Sequence, residues 1–238
     1  MKRKILITLA LFFLACMAMI FLYTGVIHIN NPSKKKYPIR GVDVSHYQGE
    51  IDWDQLQEEN IQFAYIKATE GSRSKDEQFD KNWQEAQGRS LRIGAYHFFS
   101  LDSSGTDQAE NFCSTVTVVD GMLPPVVDIE PYGKYNDVEQ IDQEKMITEL
   151  NAYLKSIESF YGVRPVIYTT EKWWSMLQEE FNDYNLWIRD VYSKPSPSLD
   201  WTFWQYSNRH VLSGYCGIER YIDMNVYCGS EEEFYAYQ

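Results

Sequence analysis

The residues best placed to do chemistry are Asp128 and Glu130, which close the run LPPVVDIE over residues 123–130. The two prolines end whatever precedes them, and the pair Val126-Val127 favours an extended backbone. Residues i and i+2 of a strand face the same side, so the two carboxyls project together from its end. Neighbouring carboxyls do not both ionise freely, which lets one serve as proton donor while the other stays an anion. That is the equipment of glycosidic-bond hydrolysis. An isolated Asp-x-Glu is equally compatible with two solvated acids at a strand end, so the elements around it must decide.

Short apolar runs recur along the chain in IRGVDVS, FAYIKATEG, LRIGAYHFF, PPVVDIE, RPVIYTT, NLWIRDVY, TFWQYS and YIDMNVY. Between the earlier ones, apolar residues return every three to four positions, which predicts helices over 76–87, 106–119, 137–161 and 172–181. Gly88 and Gly162 follow two of them as stop signals. Beyond Phe181 the connections shorten and lose helical periodicity, and 193–198 is a Pro/Ser loop. The pattern predicts an α/β fold, a parallel barrel whose last strands lack proper helices.

The 238 residues and 16 % aromatic content, with 18 Tyr and 7 Trp, suit one large domain with a substantial core. The formal charge of −12 is unevenly placed: residues 1–40 hold seven cations and no acid, leaving 15 basic against 34 acidic residues beyond them. Binding of nucleic acid through a basic face is thereby disfavoured. Ile5 to Ile27 carries no charge, and as a helix it spans roughly 35 Å, enough to cross a bilayer. A cleaved signal peptide is the rival, given Lys2-Arg3-Lys4 and the small residues near Cys16-Met17-Ala18, but the apolar run continues well beyond that point. The expected organisation is a cytoplasmic stub and transmembrane signal anchor over 1–29, a linker over 30–38 and a catalytic barrel over 39–238. The polar, two-proline linker has a reach of about 30 Å. Cys16 falls in the anchor, leaving Cys113, Cys216 and Cys228; a Cys216–Cys228 disulfide and three buried free thiols both remain open.

In a β/α barrel, chemistry collects at the C-terminal ends of the strands. The polar residues then fall in order: Asp43 on the first strand, Lys67 and Glu70 on the second, Tyr96 and His97 on the third, Asp128 and Glu130 on the fourth. Tyr168 ends the fifth, Trp187 lies in the sixth, Trp204 and Gln205 in the seventh, and Asp223 and Asn225 in the eighth. Four carboxyls would meet at one mouth. The strings GVDVSHYQG, IDW, FAYIKATEG, GAYHFF, PPVVDIE, RPVIYT, FWQYS and YIDMN, from about Gly41 to Tyr227, resemble the successive motifs of the glycoside hydrolase family 25 lysozymes, the Chalaropsis-type muramidases.

That resemblance implies a TIM-like (β/α)5β3 barrel that cleaves the β-1,4 bond between N-acetylmuramic acid and N-acetylglucosamine in peptidoglycan. It implies Glu130 as general acid/base, raised by the charge of Asp128, and Asp128 as an anion that orients the substrate's own 2-acetamido group in a retaining reaction. A carboxylate nucleophile or an inverting water stays open. Asp43 and Asp223 match the family's two other active-site acids, with the task of tuning Glu130. Tyr96, Tyr168 and Trp204 are expected as sugar platforms, since flat rings suit pyranose faces. Lys67 and Glu70 either pair or touch substrate, and Gln205 either bonds a sugar or orients an acid. His97 and Trp187 read as core residues. Arg189 and Asp190, followed by Tyr192, stand where the family tends to have a small residue. No cofactor or metal is implied: His28, His46, His97 and His210 lack ligand spacing, and no G-x-S-x-G elbow occurs. A chitin-cleaving barrel is one alternative, and a non-catalytic, membrane-tethered peptidoglycan-binding protein is another. The flanking motifs speak against the first and the four acids against the second. The expected partners are glycan strands and the membrane, with a monomeric barrel on the wall side, or secreted if the N-terminal segment is cleaved.

Overall fold

The computed structural model describes residues 2–25, 27–28, 30–136 and 138–238. Met1, Val26 and Ile29, within the expected anchor segment, and Asp137, the expected start of the long helix, lie outside the described residues. The chain runs α1 (Lys2–Tyr23), β1 (Arg40–Val44), α2 (Trp53–Glu58), β2 (Phe63–Glu70), β3 (Ser74–Lys75), α3 (Phe79–Ala86), β4 (Arg92–Phe98), α4 (Gly105–Thr115) and β5 (Val126–Asp128). It continues α5 (Gln143–Tyr161), β6 (Val166–Thr170), α6 (Glu171–Phe181), β7 (Leu186–Arg189), β8 (Phe203–His210), β9 (Ile222–Tyr227) and α7 (Glu231–Ala236).

Eight of these strands close into a barrel in the order β1-β2-β4-β5-β6-β7-β8-β9, with β9 returning to β1 and the short β3 hanging from the end of β2. Helices follow β1, β2, β4, β5 and β6; β7, β8 and β9 have none between them. This is the expected (β/α)5β3 plan, with one correction. The last strand is antiparallel to both β8 and β1, because β8 and β9 are joined at the mouth without a crossover. Asp223 and Asn225 therefore enter the mouth from the start of a strand rather than its end.

Alternation along each strand sorts the core into two layers. Phe63, Tyr65, Val126, Val166, Phe203 and Tyr227 fill the barrel interior, while Val42, Ile66, Val127, Ile167, Trp204 and Val226 face the outer layer. The long helix α5 meets that outer layer with Met146, Leu150, Tyr153, Leu154 and Ile157, spaced three or four apart. It stops at Gly162, whose φ of 71° is left-handed and favours glycine. At the barrel floor, α7 inserts Phe234 against Phe63 and Tyr227, a burial that contributes about 2–3 kcal/mol. The Arg92 guanidinium donates to the carbonyls of Phe234 and Tyr237 at 2.6 and 2.8 Å and holds the plug in place. With the floor closed, only the opposite end is open.

The flank of β7 and β8, which has no helix, is covered by residues 30–38. Asn30 is buried and donates from Nδ2 to the carbonyls of Asp190 and Ser193 at 3.1 and 2.6 Å. The Arg40 guanidinium bonds the Pro32 carbonyl and the Tyr206 hydroxyl, and Tyr37 packs on Trp201 and Trp204. The segment expected as a free spacer is thus a strap fastened to the barrel wall. The cysteines are all free, with Cys216 and Cys228 exposed and Cys113 partly buried. Cys216 lies at the mouth and Cys228 follows the floor end of β9, and the intervening strand spans roughly 20 Å. That separation excludes the disulfide.

Candidate active site

The open end holds a cleft of about 570 Å³ lined by Asp43, Lys67, Tyr96, Asp128, Glu130, Tyr168, Trp187, Arg189 and Asp223, with Tyr23, Tyr47, Arg209 and Tyr221 among the rim residues. Its centre is the end of β5. Ile129 is fully buried among outer-layer residues, so the acids on either side of it turn into the cleft. The Ile129 N–H donates to the Tyr168 carbonyl at 2.9 Å and the Phe99 N–H to the Asp128 carbonyl at 2.8 Å, which pins the segment between its neighbours.

A chain of hydrogen bonds beneath the cleft orients Asp43 and Asp223. The Tyr168 hydroxyl donates to Gln205 Oε1 at 3.0 Å, which fixes that amide with its nitrogen toward the acids. Gln205 Nε2 then donates to Asp43 Oδ1 and to Asp223 Oδ2, each at 3.1 Å. Asn225 Nδ2 donates to Asp43 Oδ1 at 2.7 Å, and Trp187 Nε1 donates to Asn225 Oδ1 at 2.9 Å. Asn225 and Trp187, which the sequence places on the eighth and sixth strands without this task, thus act as a clamp on Asp43. Both protons of the Gln205 amide are engaged and the residue is buried, so it orients acids and has none left for a sugar.

Burial is the first cause of raised carboxyl pKa values throughout the cleft. Asp128 is held well above the usual carboxylate range by desolvation and then by the charge of Glu130. Glu130 is raised by desolvation and pulled back by Arg189, whose Nε lies 3.9 Å from Glu130 Oε2. Asp223 is raised by desolvation and by Asp43; Asp43 is raised by desolvation against the hydrogen bonds of Asn225 and Gln205. The lift on Glu130 expected from Asp128 comes instead from burial. Asp128 Oδ1 is buried without a hydrogen-bond partner, an acceptor aimed at nothing in the protein.

One expected substrate contact needs correction, that of Trp204, and for Gln205 and Glu70 the structure shows the acid-orienting and ion-pairing alternatives. Trp204 is 1 % exposed, and its Nε1 donates to the Asp190 carbonyl at 2.9 Å on the outer side of the wall. Its neighbour Gln205 points inward, and adjacent strand residues cannot share a face. Gln205 lies beneath the cleft, as described. Glu70 ion-pairs with Lys67 at 2.7 Å and lies outside the cleft lining, whereas Lys67 lines it. His97 is a core residue bonded to Thr69 Oγ1 and Gln108 Oε1 at 2.7 and 3.1 Å, with its pKa lowered by burial to about 3. Trp187 is buried yet forms part of the cleft floor.

Comparison with known proteins agrees with this geometry. The family model "Glycosyl hydrolases family 25" matches residues 42–215. A solved family 25 glycosyl hydrolase from Bacillus anthracis is 45 % identical, with a TM-score of 0.82 over 88 % of this chain and 97 % of that one. The protein YegX of Escherichia coli O157:H7 is 35 % identical over 84 % of this chain and 74 % of its own length. Lysozyme M1 of Streptomyces globisporus is 34 % identical over 81 % of this chain and 68 % of its own. An Asp-x-Glu at the end of a barrel strand, two further acids clamped beside it and these matches together place the chain in glycosyl hydrolases family 25.

Proposed function

We propose that this protein is a muramidase that hydrolyses the β-1,4 bond between N-acetylmuramic acid and N-acetylglucosamine in peptidoglycan. The observation that carries it is the pairing of Asp128 and Glu130 at the floor of an open cleft in a family 25 barrel. Glu130, the more exposed of the two and raised by burial, donates its proton to the leaving glycosidic oxygen. Asp128 takes the neighbouring place. Its unpartnered Oδ1 accepts the N–H of the sugar's 2-acetamido group, whose oxygen attacks the anomeric carbon as the protonated leaving sugar departs. Water deprotonated by Glu130 then opens the resulting oxazoline from the opposite face, and the two inversions retain configuration. A donor at that oxygen favours the Asp128 anion, which burial alone opposes. Asp43 and Asp223 tune Glu130, and Tyr96 and Tyr168 present ring faces to the sugar. Lys67, held over the Phe98 ring at 5.0 Å, partly offsets the acids.

The apolar helix α1 anchors the protein in the membrane, with the barrel on the wall side. Its span Arg3–Tyr23 holds an 18-residue window with a mean hydropathy of 2.9, none of it buried by the rest of the chain.

The deciding assay is release of reducing ends from purified peptidoglycan by the detergent-solubilised full chain, beside chitin oligomers. New muramic acid ends from peptidoglycan, with chitin left intact, support the assignment. Cleavage of chitin alone would replace it with the chitinase alternative, and binding without cleavage would leave a peptidoglycan-binding protein.

Arg189 gives a separate test of the acid. Its guanidinium favours the Glu130 anion and therefore works against the protonated donor. Arg189→Met is expected to raise the Glu130 pKa, so the alkaline limb of the kcat/KM profile moves to higher pH while the acid limb stays in place. An unmoved alkaline limb would show that Arg189 does not act on the donor.

A further inference from the structure

We propose that the rim of the barrel mouth is a membrane-facing surface seated on phospholipid headgroups around the exit of α1, so that the cleft works on glycan strands lying against the bilayer. This rests on the membrane anchor and muramidase activity proposed above. It concerns where the cleft points, which neither assignment specifies.

The first observation is the seating of the helix end. At 22 residues, α1 is about 33 Å long, close to the thickness of a hydrocarbon core. Its last turn meets the barrel at the cleft. The Tyr23 carbonyl accepts from Arg209 Nη1 at 3.1 Å and from the Tyr221 hydroxyl at 2.7 Å. The Arg209 guanidinium lies over the rings of both tyrosines, at 5.3 and 5.6 Å. All three residues line the same cleft as Asp223. The point where α1 leaves the bilayer is therefore the rim of the active site.

The second observation is the path of the chain after the helix. Thr24 and Ile27 donate back to the Ile20 and Phe21 carbonyls at 2.8 and 3.1 Å, and the His28 ring stacks on His210 at 3.5 Å. The strap then descends the outside of β7 and β8 to start β1 at the floor. The reach of 30–38 is thus spent along the height of the barrel rather than between the mouth and the bilayer.

The third observation is the rim itself. Tyr192 is 72 % and Ile218 87 % exposed, and Tyr47 and Val211 are exposed on the same end. Exposed apolar and aromatic side chains beside arginines are the composition of a protein surface at the headgroup level. The nearby acids are engaged: Glu50 pairs with Lys81 at 2.8 Å, and Glu219 accepts the Tyr221 N–H at 3.0 Å.

The exposed cysteines supply the test, since Cys216 marks the mouth and Cys228 the floor. The full chain, with Cys16→Ala and Cys113→Ala, is labelled at Cys216 in a Cys228→Ser form and at Cys228 in a Cys216→Ser form. Each is reconstituted into phosphatidylcholine–phosphatidylglycerol vesicles bearing a headgroup-linked quencher. Flotation with the vesicles after a carbonate wash is expected, as is several-fold stronger quenching at Cys216 than at Cys228. Equal or reversed quenching in floating vesicles overturns the surface and leaves the anchor standing. Failure to float removes the anchor and the surface together.

The activity arm compares glycan tethered in the same vesicles with crosslinked insoluble peptidoglycan. Tethering is expected to favour the first by about tenfold or more, and the difference should vanish in detergent. Equal rates on vesicles overturn the proposal. No cleavage of either substrate in detergent would instead mean that the muramidase assignment has failed.

Discussion

Glu130→Gln is expected to lower kcat on purified peptidoglycan by about a thousandfold, within the range that a positioned general acid contributes, with little change in KM. Glutamine keeps the shape and polarity of the side chain and loses only the transferable proton. The Glu130 side chain is partly exposed, and its nearest charged partner is Arg189 at 3.9 Å, so no buried network collapses with the change. The thermal midpoint should therefore stay close to that of the parent, and glycan should still bind. Reducing-end release under saturating substrate, set beside a binding isotherm, separates a lost proton from a lost site. Turnover comparable to the parent would sink the assignment of Glu130 as the donor.

Asp128→Asn is expected to cost about a hundredfold or more in kcat, on the scale of losing a charge that stabilises the transition state, while making the protein more stable at neutral pH. The sign follows from burial. The folded-state pKa of Asp128 lies well above its unfolded value, so the folded protein binds more protons in the window between the two. Stability is fully present below the unfolded pKa, near 4, and is lost as pH rises toward the folded pKa. Asparagine removes the penalty of an ionised group whose Oδ1 has no partner. Calorimetry at pH 5 and pH 8 should show the parent losing more of its thermal midpoint between the two than the variant does. A variant less stable than the parent at pH 8 would mean that the Asp128 carboxylate is held by a partner and does not stand unpaired. Loss of activity with gain of stability is the mark of a group kept for chemistry.

Much of this site was legible because its determinants are local. The alternation that turns Asp128 and Glu130 to one side is carried by three consecutive residues, and the prolines before them fix where the strand begins. Two neighbours of FWQYS, Trp204 and Gln205, do not share one mouth. Parity along the strand already required that if Gln205 faces in, Trp204 faces out. The direction of β9 is harder to see, because a run such as YIDMNVY reads the same whichever way its strand pairs. Arg189 beside Glu130 and Asn225 on Asp43 are contacts between distant segments, and only barrel closure brings them together. The strap was hidden for the same reason: a short polar stretch with two prolines looks free until Asn30 is found bonded to carbonyls 160 and 163 residues away.

That strap also moves the edge of the folding unit. Five strands are followed by the helices that shield their outer faces, whereas β7 and β8 rely on polypeptide that precedes the first strand. Tyr37 stands over Trp204 where a missing helix would be, and Arg40 ties the Pro32 carbonyl to the Tyr206 hydroxyl. A protein trimmed at Ile39 would keep every strand and all four acids of the cleft, yet show bare aromatic wall to solvent and leave Arg40 without one of its two partners. Exposed apolar area of that kind drives self-association rather than simple loss of fold. The smallest soluble enzyme therefore begins upstream of Asn30, and the strand pattern alone would have placed the cut too late.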